Sequence, residues 1–364
     1  MILAWSVAVA ALFLAAVLFM RRPAFGRSPQ GARLERIHKS PNYRDGAFRN
    51  QCPTPHIVTG KSRLRVMLDF LFGKRERNRP ESALPAVRSD LKNLPPDEEL
   101  LVWFGHSSYF IQSGGNRFLV DPVFEAAAPV SFVNRPFAGT DLYKAADMPG
   151  IDYLIITHDH WDHLDYRTVL KLKLKTGKVI CPLGVGEHFR RWGFPQAQLL
   201  ELDWEEQIAP AAGLAVHCLP SRHFSGRGFR PDCTLWASFM LRTATKTIYL
   251  GGDGGYDSRF VRIASQYPQI DVAILENGQY DPDWRYIHLM PEELVRAVRE
   301  LRPRKLFTGH NGKYALARHP WDEPMERIAD AAREYSFNLV MPVIGEVVRL
   351  DDPAPAVRWW RDVR

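Results

Sequence analysis

Cysteine is scarce in this chain and carries no pattern. Only Cys52, Cys181, Cys218 and Cys233 occur in 364 residues, without a CxxC pair, so a zinc ribbon is excluded and no disulfide framework is demanded. They read as reduced thiols of a cytoplasmic protein. No glycine-rich phosphate loop is present to support nucleotide binding. Gly105-His106-Ser107-Ser108-Tyr109 lacks the closing glycine of a GxSxG elbow, so a serine hydrolase is not indicated. Internal repeats and low-complexity segments are absent. The net charge is only +7, which implies no nucleic-acid partner.

The long apolar run lies at the start. Ile2 to Met20 is uncharged and interrupted only by Ser6. As a helix it would measure about 28 Å, close to the roughly 30 Å hydrocarbon core of a bilayer. Arg21 and Arg22 follow the run instead of preceding it, unlike a cleaved signal peptide. Under the positive-inside rule that order puts the amino terminus outside and the rest of the chain in the cytoplasm. Residues 1–20 are therefore expected to form a single transmembrane anchor in a cell membrane; a cleaved or atypical signal and a core helix are the alternatives. Between Arg21 and Arg49 eight Lys and Arg face only Glu35 and Asp45, a basic stretch suited to anionic headgroups. Leu64–Phe72, flanked by Lys61, Arg63, Lys74, Arg75 and Arg77, reads either as a short interfacial helix or as a helix packed on the domain. Residues 21–97 thus form a basic connector.

From about residue 98 the texture becomes short β-rich runs separated by helices. Leu100–Phe104, Ser108–Gln112 and Arg117–Val120 predict successive antiparallel strands with a hairpin at Gly114-Gly115-Asn116. Further strands are predicted at Ile151–Ile156, Lys178–Cys181, Leu214–Leu219, Leu235–Leu241, Thr247–Leu250, Val272–Leu275 and Lys305–Thr308. Helices are predicted at Tyr166–Lys175 and at Pro291–Leu301, which opens on proline and two glutamates and stops before Pro303. This mixture predicts a layered α/β domain over 98–350. A tail over 351–364 carries Trp359 and Trp360, suited to a membrane interface or to packing on the domain.

Thr157-His158-Asp159-His160-Trp161-Asp162-His163 follows the apolar stretch Ile151–Ile156 directly. Imidazole and carboxylate groups suit a zinc-like ion, and the carboxyl end of a buried strand is where open α/β folds place their sites. Ligand-type residues recur at other strand ends: His223 after Leu214–Leu219, Asp253 within Gly251-Gly252-Asp253-Gly254-Gly255, and His310 after Lys305–Thr308. His288, just before a helix start, competes with His310; His310 is preferred as ligand because it follows a strand directly.

His158-Asp159-His160-Trp161-Asp162-His163 resembles the HxHxDH signature of the metallo-β-lactamase superfamily, and His223, Asp253 and His310 keep its order of remaining ligands. Asp121, in Phe118-Leu119-Val120-Asp121-Pro122, resembles its early supporting aspartate. A narrower match over roughly 100–350 resembles the N-acylphosphatidylethanolamine-hydrolysing phospholipase D branch. Trp103-Phe104-Gly105-His106, Gly252-Asp253-Gly254-Gly255-Tyr256, Tyr280-Asp281-Pro282-Asp283-Trp284 and Pro291-Glu292-Glu293 carry it.

The resemblance implies an αββα sandwich of two mixed sheets flanked by helices, with two zinc ions per chain. His158, His160 and His223 would hold the first ion, Asp162, His163 and His310 the second, and Asp253 would bridge them. Asp121 and His106 would support the ligands. Asp162 would orient or deprotonate the attacking water while ligating, and His288 would serve substrate phosphate or proton transfer. Tyr280 and Lys313 are candidate substrate contacts. The implied reaction is phosphodiester cleavage of a membrane phospholipid, with release of an N-acylethanolamine and phosphatidic acid. The runner-up is a lactonase or soluble phosphodiester hydrolase; a non-catalytic metal-bound membrane scaffold is the alternative from another class. A diiron redox protein of this fold would be expected to carry glutamate where His160 stands. Asn277-Gly278-Gln279 and Asn311-Gly312-Lys313 depart from the branch, which leaves acyl-amide selectivity open.

Overall fold

The computed structural model describes residues 2–73, 76–130, 132–353 and 357–363. Lys74 and Arg75, named as flanking charges above, lie outside them. Among the described residues sixteen strands are arranged as a small hairpin, β1 (Tyr43–Arg44) with β2 (Ala47–Phe48), and two seven-stranded sheets.

The first large sheet is built from β3 (Leu100–Trp103), β4 (Tyr109–Ser113), β5 (Asn116–Val120), β6 (Ile151–Ile155), β7 (Thr176–Pro182), β8 (Leu199–Leu202) and β16 (Val347–Arg349). Its order is β16-β3-β4-β5-β6-β7-β8. The second comprises β9 (Gln207–Ala211), β10 (Leu214–Leu219), β11 (Ser238–Arg242), β12 (Thr247–Leu250), β13 (Val272–Glu276), β14 (Lys305–Gly309) and β15 (Leu339–Val340), in the order β15-β14-β13-β12-β11-β10-β9. Each sheet joins an antiparallel half to a parallel half, β3-β4-β5 with β5-β6-β7-β8 in one and β9-β10-β11-β12 with β12-β13-β14-β15 in the other.

Local sequence accounts for most of this. Gly114 and Gly115 both take positive φ, 56° and 73°, between the paired residues Ser113 and Asn116. That is the two-residue hairpin whose twist matches its strands. The predicted strand over Leu235–Leu241 begins only at Ser238. Leu235 and Ala237 instead donate their backbone N–H groups to Leu183 O and Thr157 O, 2.9 Å each, tying the two sheets together near the histidine run. Among the described residues eight α-helices complete the fold: α1 (Ile2–Met20), α2 (Ala32–His38), α3 (Arg63–Phe72), α4 (Tyr166–Leu172), α5 (Gly186–Arg191), α6 (Arg259–Gln266), α7 (Pro291–Leu301) and α8 (Glu323–Tyr335). Glu293 caps α7 by accepting from Met290 N at 3.1 Å, and Arg302 ends it in the left-handed conformation before Pro303. The core fills the space between the sheets with Ile111, Phe118, Val216, Phe239 and Ile248, and a second apolar layer packs α4 and α5 on the outer face of the first sheet.

The connector is part of this body. Ile37 and Phe48 are buried in the inter-sheet core, and Arg33 pairs with Glu187 and Glu201. α3 packs Phe70 on Trp284 and ties Asp69 to Lys61, while Leu64, Met67 and Phe72 stay exposed. In the tail, Trp359 and Trp360 are buried against the core, and Trp360 Nε1 donates to Glu326 of α8 at 2.7 Å. Tail and domain therefore pack together.

α1 occupies the expected anchor. It runs for 19 residues and exposes Trp5, Leu12 and Phe13. The side chains of residues 2–4 and 8 are not described. Among the described residues no helix is long and apolar enough to cross a membrane, so the transmembrane expectation is not met by the fold itself.

Candidate metal centre

Every donor named from the sequence lies just beyond a strand, at one edge of the sandwich. β6 delivers the histidine run. His163 N and Leu164 N both donate to His160 O, at 3.1 and 2.8 Å. This tight turn sends His158 and His160 to one side and brings Asp162 and His163 back to the other. Asp253 follows β12 between two glycines. A Cβ on Gly252 would meet Ala237 O at 2.9 Å, and one on Gly254 would meet Ser221 Oγ at 2.2 Å. Only glycine lets the backbone pass there, and that passage aims Asp253 into the cluster.

The donors converge in two groups. His158 Nε2 and His223 Nε2 lie 2.8 and 3.1 Å from His160 Nδ1. Asp162 Oδ2 lies 3.8 Å from His163 Nε2 and 3.6 Å from His310 Nε2. Asp253 Oδ2 stands between the groups, 3.1 Å from both His163 Nε2 and His310 Nε2 and 3.9 Å from both His158 Nε2 and His223 Nε2. His163 Nε2, His310 Nε2 and Asp253 Oδ1 are buried and have no hydrogen-bond partner. Such orphaned groups are costly in a protein interior, and a cation satisfies all of them at once. The residues present fit a metal pair.

Protonation follows the same division. Burial pushes His158 and His223 well below the ordinary imidazole range and takes His160 down to about 4. Burial acts on His310 too, but Asp253 and Asp162 outweigh it and hold His310 up at about 10. His163 is likewise raised against burial, by Asp253 and Asp162. Burial would lift the carboxyls, yet His163 draws Asp253 and Asp162 well below the usual carboxylate range.

Supporting groups fix the donors. Asp121, at φ 41°, accepts from Thr157 N at 2.8 Å through Oδ1; its Oδ2 accepts from Thr157 Oγ1 at 2.6 Å and faces His163 Nδ1 at 2.8 Å. His163 Nδ1 therefore keeps its proton on Asp121, and Nε2 is the nitrogen that faces the cluster and gives up its proton when a metal binds. In Asp121→Asn the oxygen stays pinned by Thr157 N–H, so the amide faces Nδ1 and moves the ring proton to Nε2. Metal affinity of the second group should fall about 10–100-fold, measured by competition with a chelator; unchanged affinity would refute this tautomer argument. His106 Nε2 lies 2.9 Å from Asp162 Oδ2. Burial, reinforced by His310, pushes His106 down to about 3, so it is neutral and donates to Asp162.

His288 stacks on His310 with ring centroids 4.9 Å apart and lies 5.1 Å from the His223 ring. His310 is the one that converges with Asp162 and His163, while His288 groups with Asp253, Glu276 and His310.

Two candidates lie elsewhere. Lys313 is buried, and its Nζ donates to Phe104 O at 3.1 Å and Val123 O at 2.9 Å. Tyr280 stacks on His319 and donates its hydroxyl to Glu323 Oε1 at 2.9 Å. Both polar ends are spent on protein partners, which corrects the expectation that they meet substrate.

Sequence reasoning passed over Glu276, Asp159 and Arg227. Asp159 accepts from Gly226 N at 2.7 Å and Thr234 Oγ1 at 3.0 Å, and pairs with His188 Nε2 at 3.0 Å. The Arg227 guanidinium lies 3.9 Å over the Trp161 ring and donates to Asp159 O, Leu164 O and Ala24 O. Phe25, just beyond α1, packs edge-on against Trp161 at 4.9 Å. Glu276 did carry a signal, a carboxylate ending an apolar strand as the other donors do.

Residues 116–311 match the family described as Beta-lactamase superfamily domain. The chain belongs to the metallo-β-lactamase superfamily. It is 36% identical over 328 residues to an uncharacterised protein of Mycobacterium tuberculosis, covering 89% of this chain and 88% of that one. N-acyl-phosphatidylethanolamine-hydrolyzing phospholipase D 1 of Caenorhabditis elegans is 28% identical over 231 residues, covering 59% of this chain and 64% of the relative. Among solved structures, a metallo hydrolase of the archaeon Ignicoccus hospitalis superposes with a TM-score of 0.54 at 22% identity, covering 69% of this chain and 98% of that one. This metallo-β-lactamase superfamily member is a metal-dependent hydrolase, and its similarity extends to the phospholipase D relative of Caenorhabditis elegans.

Proposed function

We propose that this protein is a dizinc phosphodiester hydrolase of phospholipase D type. Its substrate is N-acylphosphatidylethanolamine, cleaved to N-acylethanolamine and phosphatidic acid. The observation that carries the reading is the convergence of two donor groups on one shared carboxylate, Asp253 Oδ2, 3.1 to 3.9 Å from imidazoles of both. His158, His160 and His223 would hold the first ion, and Asp162, His163 and His310 the second. A set of imidazoles and carboxylates without thiolates suits zinc. Bound there, two cations would make a water nucleophilic at neutral pH and take up charge on a phosphoryl oxygen.

The chain's own groups do the rest. Asp162, steadied by His106, keeps its second oxygen free to orient a water and receive its proton. His288 is the more accessible histidine beside the cluster, with 12% of its side chain exposed against 2% for His310. It delivers a proton to the departing oxygen. A lipid substrate accords with the Caenorhabditis relative, whose name states that activity.

The same reading places α1 in a cell membrane with the hydrolase domain on the cytoplasmic side, since Arg21 and Arg22 follow the apolar run. Phe25 on Trp161 then brings the bilayer close to the histidine loop. The full chain should float with phospholipid vesicles on a density gradient, and a chain beginning at Arg22 should not; equal flotation would remove the anchor.

Mass spectrometry of products tests the activity. Zinc-loaded protein mixed with vesicles of N-acylphosphatidylethanolamine and phosphatidylethanolamine should release N-acylethanolamine and phosphatidic acid. No release from protein shown to hold two metals would overturn the lipid reading.

A further inference from the structure

Beside the donor cluster lies a carboxylate with no role so far. Glu276 ends β13, is 5% exposed, and has both oxygens committed. Oε1 accepts from Gly254 N and Leu289 N, 2.9 Å each; Oε2 lies 2.6 Å from His288 Nδ1, with His310 Nδ1 farther off at 3.5 Å. The two backbone amides fix the plane of the carboxylate and leave only Oε2 for the imidazole.

We propose that Glu276 is a positioning residue that forms a carboxylate–imidazole dyad with His288, holding the proton on Nδ1 and aiming Nε2 at the leaving-group oxygen. The inference rests on the hydrolytic reading of the site, and specifies how His288 acts in it. As water bonds to phosphorus, the bond to the leaving oxygen breaks with its electron pair on that oxygen. The oxygen takes the Nε2 proton of the imidazolium. His288 is left neutral with Nδ1–H still on Glu276, and regains a proton from the one the attacking water gives up. One water is consumed and no other reactant is needed.

The geometry makes Glu276→Gln a specific probe. Its amide oxygen must stay on Gly254 N–H and Leu289 N–H, so its NH2 must face His288 Nδ1. That nitrogen then has to accept, and the ring proton of neutral His288 moves to Nε2. In zinc-loaded full-length protein with 15N-labelled histidine, Nδ1 of His288 should carry a proton in the wild type and none in the variant, with the resonance assigned from His288→Gln. A proton on Nε2 alone in the wild type would overturn the dyad.

Turnover gives a second readout. Two phosphodiesters share one acid half, one leaving as p-nitrophenolate and one as an alkyl alcohol; a pair of carboxylic esters is matched in the same way. Glu276→Gln should slow the alkyl substrate on the order of 10²-fold, the scale of general acid catalysis, and the aryl substrate less than about 10-fold, because an aryl leaving group needs no proton. Equal losses on both would mark Glu276 as merely structural and overturn the proposal. If Glu276→Gln does not fold, His288→Gln carries the same test. Where both fold, the double variant should be no slower than His288→Gln alone; additive losses would again overturn it. Wild-type protein that cleaves only the carboxylic esters removes the phosphodiester reading, and the aryl-to-alkyl ratio on those esters then decides the dyad.

Discussion

Asp253→Asn should leave the protein folded and remove at least about 10³-fold from kcat/KM, equivalent to roughly 4 kcal/mol of transition-state stabilisation. Among the described residues Asp253 is the carboxylate whose Oδ2 reaches imidazoles of both donor groups. An amide carries no charge and offers a single oxygen, so it cannot neutralise two neighbouring cations. Loss should therefore appear in metal content first: elemental analysis should find fewer than two equivalents retained after dialysis. The fold should survive because the flanking glycines, which carry the backbone past Ala237 O and Ser221 Oγ, are untouched. A variant that kept full turnover with two metals would refute the shared-carboxylate arrangement.

Metal uptake should release protons very unequally from the two groups. At pH 7 His158, His160 and His223 are neutral in the metal-free protein, because burial holds them below the ordinary imidazole range. His163 is raised well above that range, and His310 to about 10. Filling the first group should free almost no protons, and filling the second about two, since ligating imidazoles must be deprotonated. Isothermal titration of zinc in buffers of different ionisation enthalpy reads the difference directly. Equal release at both steps would contradict the assignment. The sign for stability follows. His310 has a raised value, so its ion pair with Asp253 stabilises the metal-free protein fully below about pH 6.5. That contribution is lost as pH rises through about 10. Asp253, held low, contributes above about pH 3.9 and loses its contribution as pH falls through its depressed folded value.

The donors were legible because each is a histidine or aspartate on the loop that directly follows an apolar strand, and these loops meet at one edge. Asp121 and His106 were reachable only through the family resemblance, since nothing local distinguishes an aspartate before proline from a turn. Asp159 and Arg227 could not be read at all. Their partners, from Ala24 to Thr234, lie far apart in sequence, and only the fold brings them together. Lys313 misled for a related reason: whether a lysine faces solvent or two backbone carbonyls depends on how the loop after β14 returns beneath Phe104. The strand expected from Leu235 started late because its first residues bond across to the opposite sheet, a choice that propensity does not encode.

The donors belong to both halves of the sandwich, with His158, His160, Asp162 and His163 after β6 of one sheet and His223, Asp253 and His310 after β10, β12 and β14 of the other. Ions seated among them would act as rivets across the seam between the halves. A chelator would then loosen the architecture as well as silence the chemistry, and amide hydrogens on both sides of the seam would exchange faster together.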